Sequence, residues 1–148
     1  MGSSEPLGKV SPKRHTPSNL FSVRVSQLAA YVCSDASATN RSAPTETGMS
    51  RLALSDDDAK ARRWFVEEMT KLNCQLTVDK MGNLFARRAG FTKSKSPMIA
   101  MGSHLDTQPR GGRYDGILGV LAAVEVLRTL DDAGHQTVLD VGVINWTK

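Results

Sequence analysis

The stretch MIAMGSHLDTQPRGGRYDGILGVLAAVEVLRTL, residues 98–130, places a polar segment between two apolar ones. Residues 98–101 are a short apolar run of the kind that forms a buried strand. From residue 117 to residue 130 apolar side chains recur at helical spacing, and Gly134 stands where a glycine commonly ends a helix. The segment 103–116 between them holds one histidine, two aspartates and three glycines. The stretch therefore predicts a strand, a polar loop and a helix.

A second β-rich run, residues 138–146, follows that helix. A strand, a crossover helix and a further strand form a parallel βαβ unit, which is right-handed as a rule. In open sheets of this kind, ligands collect beyond the carboxyl ends of the strands. Residues 103–115 fall at that place, so the sequence predicts a ligand site in the polar loop.

The segment upstream of residue 98 predicts a helix and a hairpin. Ser55 and Asp58 form a capping box before an apolar stripe at helical spacing, which predicts a helix over 56–72 with Trp64 and Phe65 in the core. Strand-like runs at 75–79 and 83–88 flank Met81-Gly82-Asn83, a good turn sequence. The predicted fold class is α/β, with a partial parallel or mixed sheet and flanking helices.

Composition bounds the remaining possibilities. The 148 residues carry a net charge of +4, but the basic residues are scattered and few aromatics accompany them. Nucleic-acid-binding proteins usually concentrate positive charge on one face and add stacking aromatics, so we expect no nucleic-acid partner. Sparse cysteines, Cys33 and Cys74, suit a reducing compartment, and no run is long and apolar enough for a membrane span. We expect a cytoplasmic protein in which residues 1–47 are a flexible extension and 48–148 are the folded domain.

The polar loop offers candidate metal ligands. The neutral imidazole of His104 suits zinc, and such a ligand usually donates its other ring N–H to a carboxylate or carbonyl. Asp106 is the candidate for that partner, and Asp115 is a candidate direct ligand. Three glycines, Gly111, Gly112 and Gly116, allow the backbone to return Asp115 toward His104. By spacing alone, a surface hydrogen-bonded pair is the commoner arrangement for His104 and Asp106. With their position at the end of a buried strand, the surface pair and the metal site are both open interpretations.

Four segments carry a resemblance to a known family. GSHLDTQPRGGRYDGILGV (102–120) resembles the metal-binding segment of the M20-type amidohydrolases, in the branch that contains β-ureidopropionase (β-alanine synthase), N-carbamoyl-L-amino-acid hydrolases and allantoate amidohydrolase. GMSRLALSDDD (48–58), VDKMGNLFARR (78–88) and VGVINWT (141–147) resemble the same family in the same order. The resemblance covers residues 48–147 and implies the N-terminal part of an M20-type catalytic domain.

This resemblance implies a reaction and a set of roles. His104 becomes a ligand of one metal ion, Asp106 the catalytic residue that orients it, and Asp115 the carboxylate that bridges two divalent ions, zinc in the first place and manganese as the alternative. Gln108 becomes a candidate contact to substrate. The implied reaction hydrolyses the carbamoyl C–N bond of a small N-carbamoyl amino acid such as N-carbamoyl-β-alanine, and the implied assembly is a homodimer.

The sequence departs from the family pattern at one point. Strand 141–147 of the family continues as Asn-Glu-Glu-Gly, which supplies the general base and a metal ligand, whereas here Lys148 follows. The later histidine ligands and the dimerisation domain also have no counterpart in the sequence, so we expect an incomplete and inactive chain. Two alternatives stay open: a non-catalytic module that associates with a full-length relative through an exposed strand edge at 138–146, and a related M20 peptidase or aminoacylase.

Overall fold

The computed structural model describes residues 49–92, 97–112 and 114–148. The predicted extension over 1–47 lies outside the described residues. Elements occur at the places that the sequence predicts, and the main difference is a longer third strand, which ends at His104 and not at Met101. In chain order the elements are α1 (Asp56–Lys71), β1 (Gln75–Val78), β2 (Leu84–Arg88), β3 (Ile99–His104), α2 (Ile117–Asp132) and β4 (Val141–Trp146).

The four strands form one mixed sheet in the order β1-β2-β4-β3. β3 and β4 are parallel, with Met101 opposite Val143, whereas β1 with β2 and β2 with β4 are antiparallel. The predicted α/β class with a mixed sheet is therefore confirmed. The expectation that residues 138–146 present an open strand edge is wrong, because β4 is hydrogen-bonded on both sides and the outer strands of the described sheet are β1 and β3.

Both helices bury their apolar stripes in one core with the sheet. Trp64, Phe65 and Met69 of α1 belong to the same buried cluster as Val124 and Leu127 of α2. Trp64 and Phe65 are thus core residues, as predicted. Full burial of one such side chain stabilises a fold by roughly 1.5–3 kcal/mol. None of the helices in the described ranges is both long and apolar enough to cross a membrane.

The start of α1 is capped much as the sequence predicts. The Ser55 hydroxyl accepts a hydrogen bond from the Asp58 N–H at 3.2 Å. The Asp58 carboxylate in turn accepts the N–H of Leu54 at 3.0 Å, one residue before the cap, because Leu54 takes a positive φ of 65°. Asp58 is buried, and its burial raises the pKa of the carboxyl against the opposing effects of the Leu54 N–H and Arg62.

The β1–β2 turn holds the carboxyl end of β4. Gly82 has a φ of +83°, which suits the predicted turn. Its carbonyl accepts a hydrogen bond from the Thr147 hydroxyl at 2.9 Å, and the Asn83 side chain accepts the Thr147 N–H at 2.8 Å. Arg62 of α1 donates to the same hydroxyl at 2.9 Å. The end of β4 is therefore fixed from the hairpin and from α1 together.

Asp140 anchors the amino ends of the two parallel strands. Its carboxylate accepts the Gly90 N–H at 2.7 Å and pairs with Arg87 of β2. Its backbone carbonyl accepts the N–H of Ile99 at 2.9 Å, at the start of β3. The Gly90 N–H, followed by Arg87, lowers the pKa of the Asp140 carboxyl. Favourable contacts to the charged form therefore link this carboxylate to the stability of the sheet.

Replacing Asp140 tests that link. A carboxyl whose pKa is lower in the folded state adds stability above its unfolded-state pKa and loses it as the pH falls through the folded-state pKa. We expect Asp140→Asn to lower the free energy of unfolding at neutral pH and to flatten its decline in acid. Urea unfolding at a series of pH values measures both effects. Asp131→Asn, at an exposed position near the end of α2, is the control, and an unchanged acid limb in Asp140→Asn would contradict the assignment.

Candidate functional site

The polar loop begins where the parallel strands end. His104, the last residue of β3, lies opposite Trp146, the last residue of β4. Residues 104–107 are all buried, whereas residues 108–110 are exposed. The loop thus starts inside the domain and emerges at the carboxyl edge of the sheet, the position that the sequence predicts.

The His104 ring is held through its Nδ1 atom. Nδ1 lies 3.0 Å from the backbone carbonyl oxygen of Asp106. A carbonyl can only accept, so Nδ1 carries the proton, and a neutral ring then presents its lone pair at Nε2. The partner differs from the expected one because β3 ends at His104. Asp106 leaves the strand and offers its main-chain oxygen at hydrogen-bond distance, while its Oδ1 lies at 3.4 Å.

The Asp106 carboxylate has an unusual environment. Its Oδ1 is buried and makes no hydrogen bond to the residues that the structure describes. The Asp106 charge also adds to the rise in the pKa of Asp58, an effect smaller than that of the burial of Asp58 itself. Buried carboxylate oxygens are normally paired, because an unmade hydrogen bond costs about 1–3 kcal/mol. Asp106 Oδ1 is therefore a buried acceptor without a hydrogen-bond donor among the described residues.

Asp115 faces the other side of the ring. Its Oδ1 lies 3.9 Å from His104 Nε2, and its side chain is 58% exposed. This distance is too long for a hydrogen bond. Zinc binds histidine nitrogen at about 2.0–2.1 Å and carboxylate oxygen at about 2.0–2.2 Å with tetrahedral geometry, so two ligand atoms of one ion lie about 3.4 Å apart. The observed separation is longer than that, so a shared zinc ion would need the exposed Asp115 side chain to move closer to the ring.

No third ligand joins this pair in the described ranges. Within residues 49–92, 97–112 and 114–148, no group of three or more His, Cys, Asp or Glu side chains is arranged to hold a metal ion. A closed zinc site takes four ligands, whereas a catalytic one takes three from the protein. The described residues thus offer at most two ligands to a metal ion.

Gly116 allows Asp115 and His104 to meet. Its φ is +71°, and a Cβ atom built there would lie 2.3 Å from Cε1 of the His104 ring. Glycine is required by both the backbone conformation and the ring that packs against it. Gly116 is also the N-cap of α2 and provides no side-chain cap. Gly111 contributes differently, through backbone hydrogen bonds of 2.9 and 3.0 Å with Met49.

Gln108 lies at the exposed tip of the loop. Its carbonyl accepts the Gly111 N–H at 2.9 Å and closes a turn. The side chain is on the surface, so its predicted contact with substrate stays a prediction.

Two buried polar residues near the loop were not singled out from the sequence. Asn145 accepts the Leu105 N–H at 3.0 Å, and Arg51 donates to the Leu105 carbonyl at 2.7 Å. The signal for Asn145 was an amide side chain inside an otherwise apolar strand. Arg51 gave no comparable signal, because its partner lies 54 residues away.

A separate groove lies against α1. It has a volume of about 610 Å³, and its apolar lining comes mainly from Leu54, Val66, Val78 and Leu84. His104, Asp106 and Asp115 do not line it. The groove is therefore separate from the candidate ligands.

The sequence is similar to curated amidohydrolases and to solved amidase structures. It has 43% identity over 100 residues to an N-carbamoyl-L-amino-acid amidohydrolase from Rhizobium meliloti, covering 68% of this chain and 24% of that enzyme. It has 37% identity over 99 residues to a ureidoglycolate hydrolase from Oryza sativa subsp. japonica, covering 67% of this chain and 20% of that one. A crystal structure of an amidase of the hydantoinase/carbamoylase family from Burkholderia vietnamiensis matches with a TM-score of 0.75 and 41% identity, covering 84% of this chain and 29% of that chain. No family model matches the chain.

Fold and similarity together define the class: an α/β domain related to hydrolases of C–N bonds. Within that class the chain is homologous, over its matched residues, to the carbamoyl-amino-acid amidohydrolases and their hydantoinase/carbamoylase relatives. The resemblance to the N-carbamoyl-L-amino-acid hydrolases is thereby confirmed. The chain spans about a fifth to a quarter of the length of the curated relatives.

Two glycines with positive φ make a matched test of the site geometry. Gly134 has a φ of +60° but no atom within 4 Å of a built Cβ, whereas Gly116 has the His104 ring. Gly134→Ala should cost about 1 kcal/mol of folding stability from backbone strain alone. Gly116→Ala should cost about 2–4 kcal/mol, because the ring must also move. Urea unfolding measures the costs and ring resonances of His104 report its displacement; equal costs with an unmoved ring would contradict the packing.

Proposed function

We propose that the described domain supplies a histidine and an aspartate to a divalent-cation site in an amidohydrolase of N-carbamoyl amino acids, for which N-carbamoyl-β-alanine is the test substrate. One observation carries this proposal: His104 directs its unprotonated Nε2 at the Asp115 carboxylate while its Nδ1 is committed to Asp106. The reaction class comes from the relatives, whose names describe amidohydrolases of N-carbamoyl-L-amino acids.

Each residue then has a distinct task. His104 contributes the nitrogen lone pair, and the Asp106 carbonyl keeps the ring in the tautomer that leaves this lone pair available. Asp115 contributes negative charge from a largely exposed side chain, which is accessible to the second ion that the family resemblance implies. Zinc is the expected cation, and manganese is the alternative.

The cation would supply the chemistry that the side chains lack. A bound divalent ion lowers the pKa of water and polarises a carbonyl oxygen. A carboxylate must still accept the proton and pass it to the leaving nitrogen. No described residue joins His104 and Asp115 in a third-ligand arrangement, so the proposal gives the described residues two of the ligands and assigns proton transfer to none of them.

Cation binding by the 148-residue chain tests the site. We expect Zn²⁺ or Co²⁺ to bind, and His104→Gln or Asp115→Asn to weaken binding at least about tenfold, since each removes one of two protein ligands. Isothermal titration calorimetry measures the affinities. His135→Gln and Asp131→Asn are the matched controls, because both residues are exposed at the far end of α2. Wild-type affinity in His104→Gln would refute the proposed site.

A turnover assay tests separately whether the 148-residue chain can catalyse the reaction without further residues. The chain, supplied with zinc or manganese, is incubated with N-carbamoyl-β-alanine and ammonia release is followed. We expect no release above the level of the cation alone, because two ligands without an accompanying proton acceptor do not make a complete site. Hydrolysis that His104→Ala abolishes would overturn this view and show that the 148 residues suffice.

A further inference from the structure

Leu105 connects His104 to Asp106, and its peptide groups lie just beyond the last paired position of β3. The register of β3 with β4 ends at His104, and Leu105 is completely buried. Buried backbone N–H and C=O groups are nearly always paired, because leaving one unpaired is costly. Here both partners are side chains from distant segments. Asn145 accepts the N–H at 3.0 Å, and Nε of Arg51 donates to the C=O at 2.7 Å.

The same arginine holds the far side of Asp106. The Arg51 N–H donates to the Thr107 hydroxyl at 2.7 Å, and the Arg51 carbonyl accepts the Thr107 N–H at 2.6 Å. Asp106 therefore lies between two residues that are each fixed by hydrogen bonds. Its carbonyl, which receives the Nδ1 proton of His104, has little freedom to turn.

Burial makes a purely space-filling role a poor explanation. Arg51 and Asn145 are each only 1% exposed. A charged or amide side chain is expensive to bury, and an apolar residue of similar size would fill the space at lower cost. An apolar residue could not form hydrogen bonds to the N–H and C=O groups of Leu105. The orientation of these peptide groups sets the positions of His104 and Asp106.

We propose that Arg51 and Asn145 are positioning residues that clamp the Leu105 peptide and thereby hold His104 in the tautomer with Nε2 unprotonated. The effect on cation affinity rests on the proposed function. The effect on the ring itself does not, because it concerns the protein without any cation.

The test compares Asn145→Ala and Arg51→Lys with Asn145→Asp, which keeps an acceptor oxygen for the Leu105 N–H. Arg128→Lys is the control. Arg128 is likewise a poorly exposed arginine, but its partner is Glu68 of α1 and not the Leu105 peptide. Three quantities are measured at one pH at which the ring is neutral: the ring ¹⁵N shifts of His104, hydrogen exchange of the Leu105 and Thr107 amides, and Zn²⁺ affinity.

We expect the proton on Nδ1 in the unaltered chain, in Asn145→Asp and in Arg128→Lys. Asn145→Ala and Arg51→Lys should shift a measurable fraction to the other tautomer, and Asn145→Ala should speed exchange of the Leu105 amide at least about tenfold. The Thr107 amide should exchange slowly in Arg51→Lys, because the main chain of residue 51 holds it. Their Zn²⁺ affinity should fall about 10- to 100-fold, as is usual when the partner of a ligand is lost.

The outcomes separate the two proposals. An unchanged tautomer in the folded variants, or unchanged exchange of the Leu105 amide in a folded Asn145→Ala protein, would overturn the clamp, even if zinc binds. A changed tautomer in a protein that never binds zinc would support the clamp and refute the cation site. If Asn145→Ala does not fold, Arg51→Lys alone decides, because it retains the positive charge and most of the side-chain volume.

Discussion

The parallel pairing of β3 with β4 is the constraint on which the described structure depends. Parallel neighbours cannot be joined by a tight turn, so the chain needs a crossover of a dozen or more residues. α2 provides it and packs so closely on β3 that a Cβ atom at Gly119 would lie 2.7 Å from that of Ser103. The pairing also brings both carboxyl ends to one edge. His104 consequently lies beside the end of β4, and Asn145 can reach the Leu105 peptide.

The site combines a buried half with an exposed half. His104 and Asp106 lie within the domain, where their orientation is set by main-chain and side-chain hydrogen bonds. Asp115 comes from the opposite end of the loop and projects largely into solvent. The proposed ligand pair joins a fixed nitrogen to an accessible carboxylate. The buried part fixes the orientation of the His104 ring, and the exposed part places the negative charge of Asp115 in contact with solvent.

Periodicity and turn chemistry were sufficient to predict the elements. The apolar stripes of α1 and α2, the Ser55 cap and the turn at Gly82 are local signals, and each appears at its expected position. The juxtaposition of His104 and Asp115 also followed from local composition, since only the glycine-containing loop separates them. Their roles as ligands remain predictions, because geometry alone does not identify a cation.

What escaped prediction depends on long-range pairing. Nothing local indicates that β4 would insert between β2 and β3, because strand order is decided by how the whole sheet buries its surface. The end of β3 at His104 was equally invisible, and it is the reason that the Asp106 carbonyl, not its carboxylate, receives the ring proton. Arg51 illustrates the same limit, since its partners are found only after the sheet and loop are assembled.

The clamp on Leu105 has a consequence for the order of folding. Its two hydrogen bonds join residues 54 and 40 positions apart, and the neighbouring bond from Arg51 to Thr107 spans 56. His104 and Asp115, in contrast, are near neighbours along the chain. Contacts of long sequence separation form only after the entropy of closing the intervening chain has been overcome. His104 and Asp115 are close in sequence and can approach each other without these contacts, but their fixed geometry requires the distant segments. In the folded domain the geometry of the loop therefore depends on contacts with distant segments, unlike small zinc-dependent modules in which the ion itself drives folding.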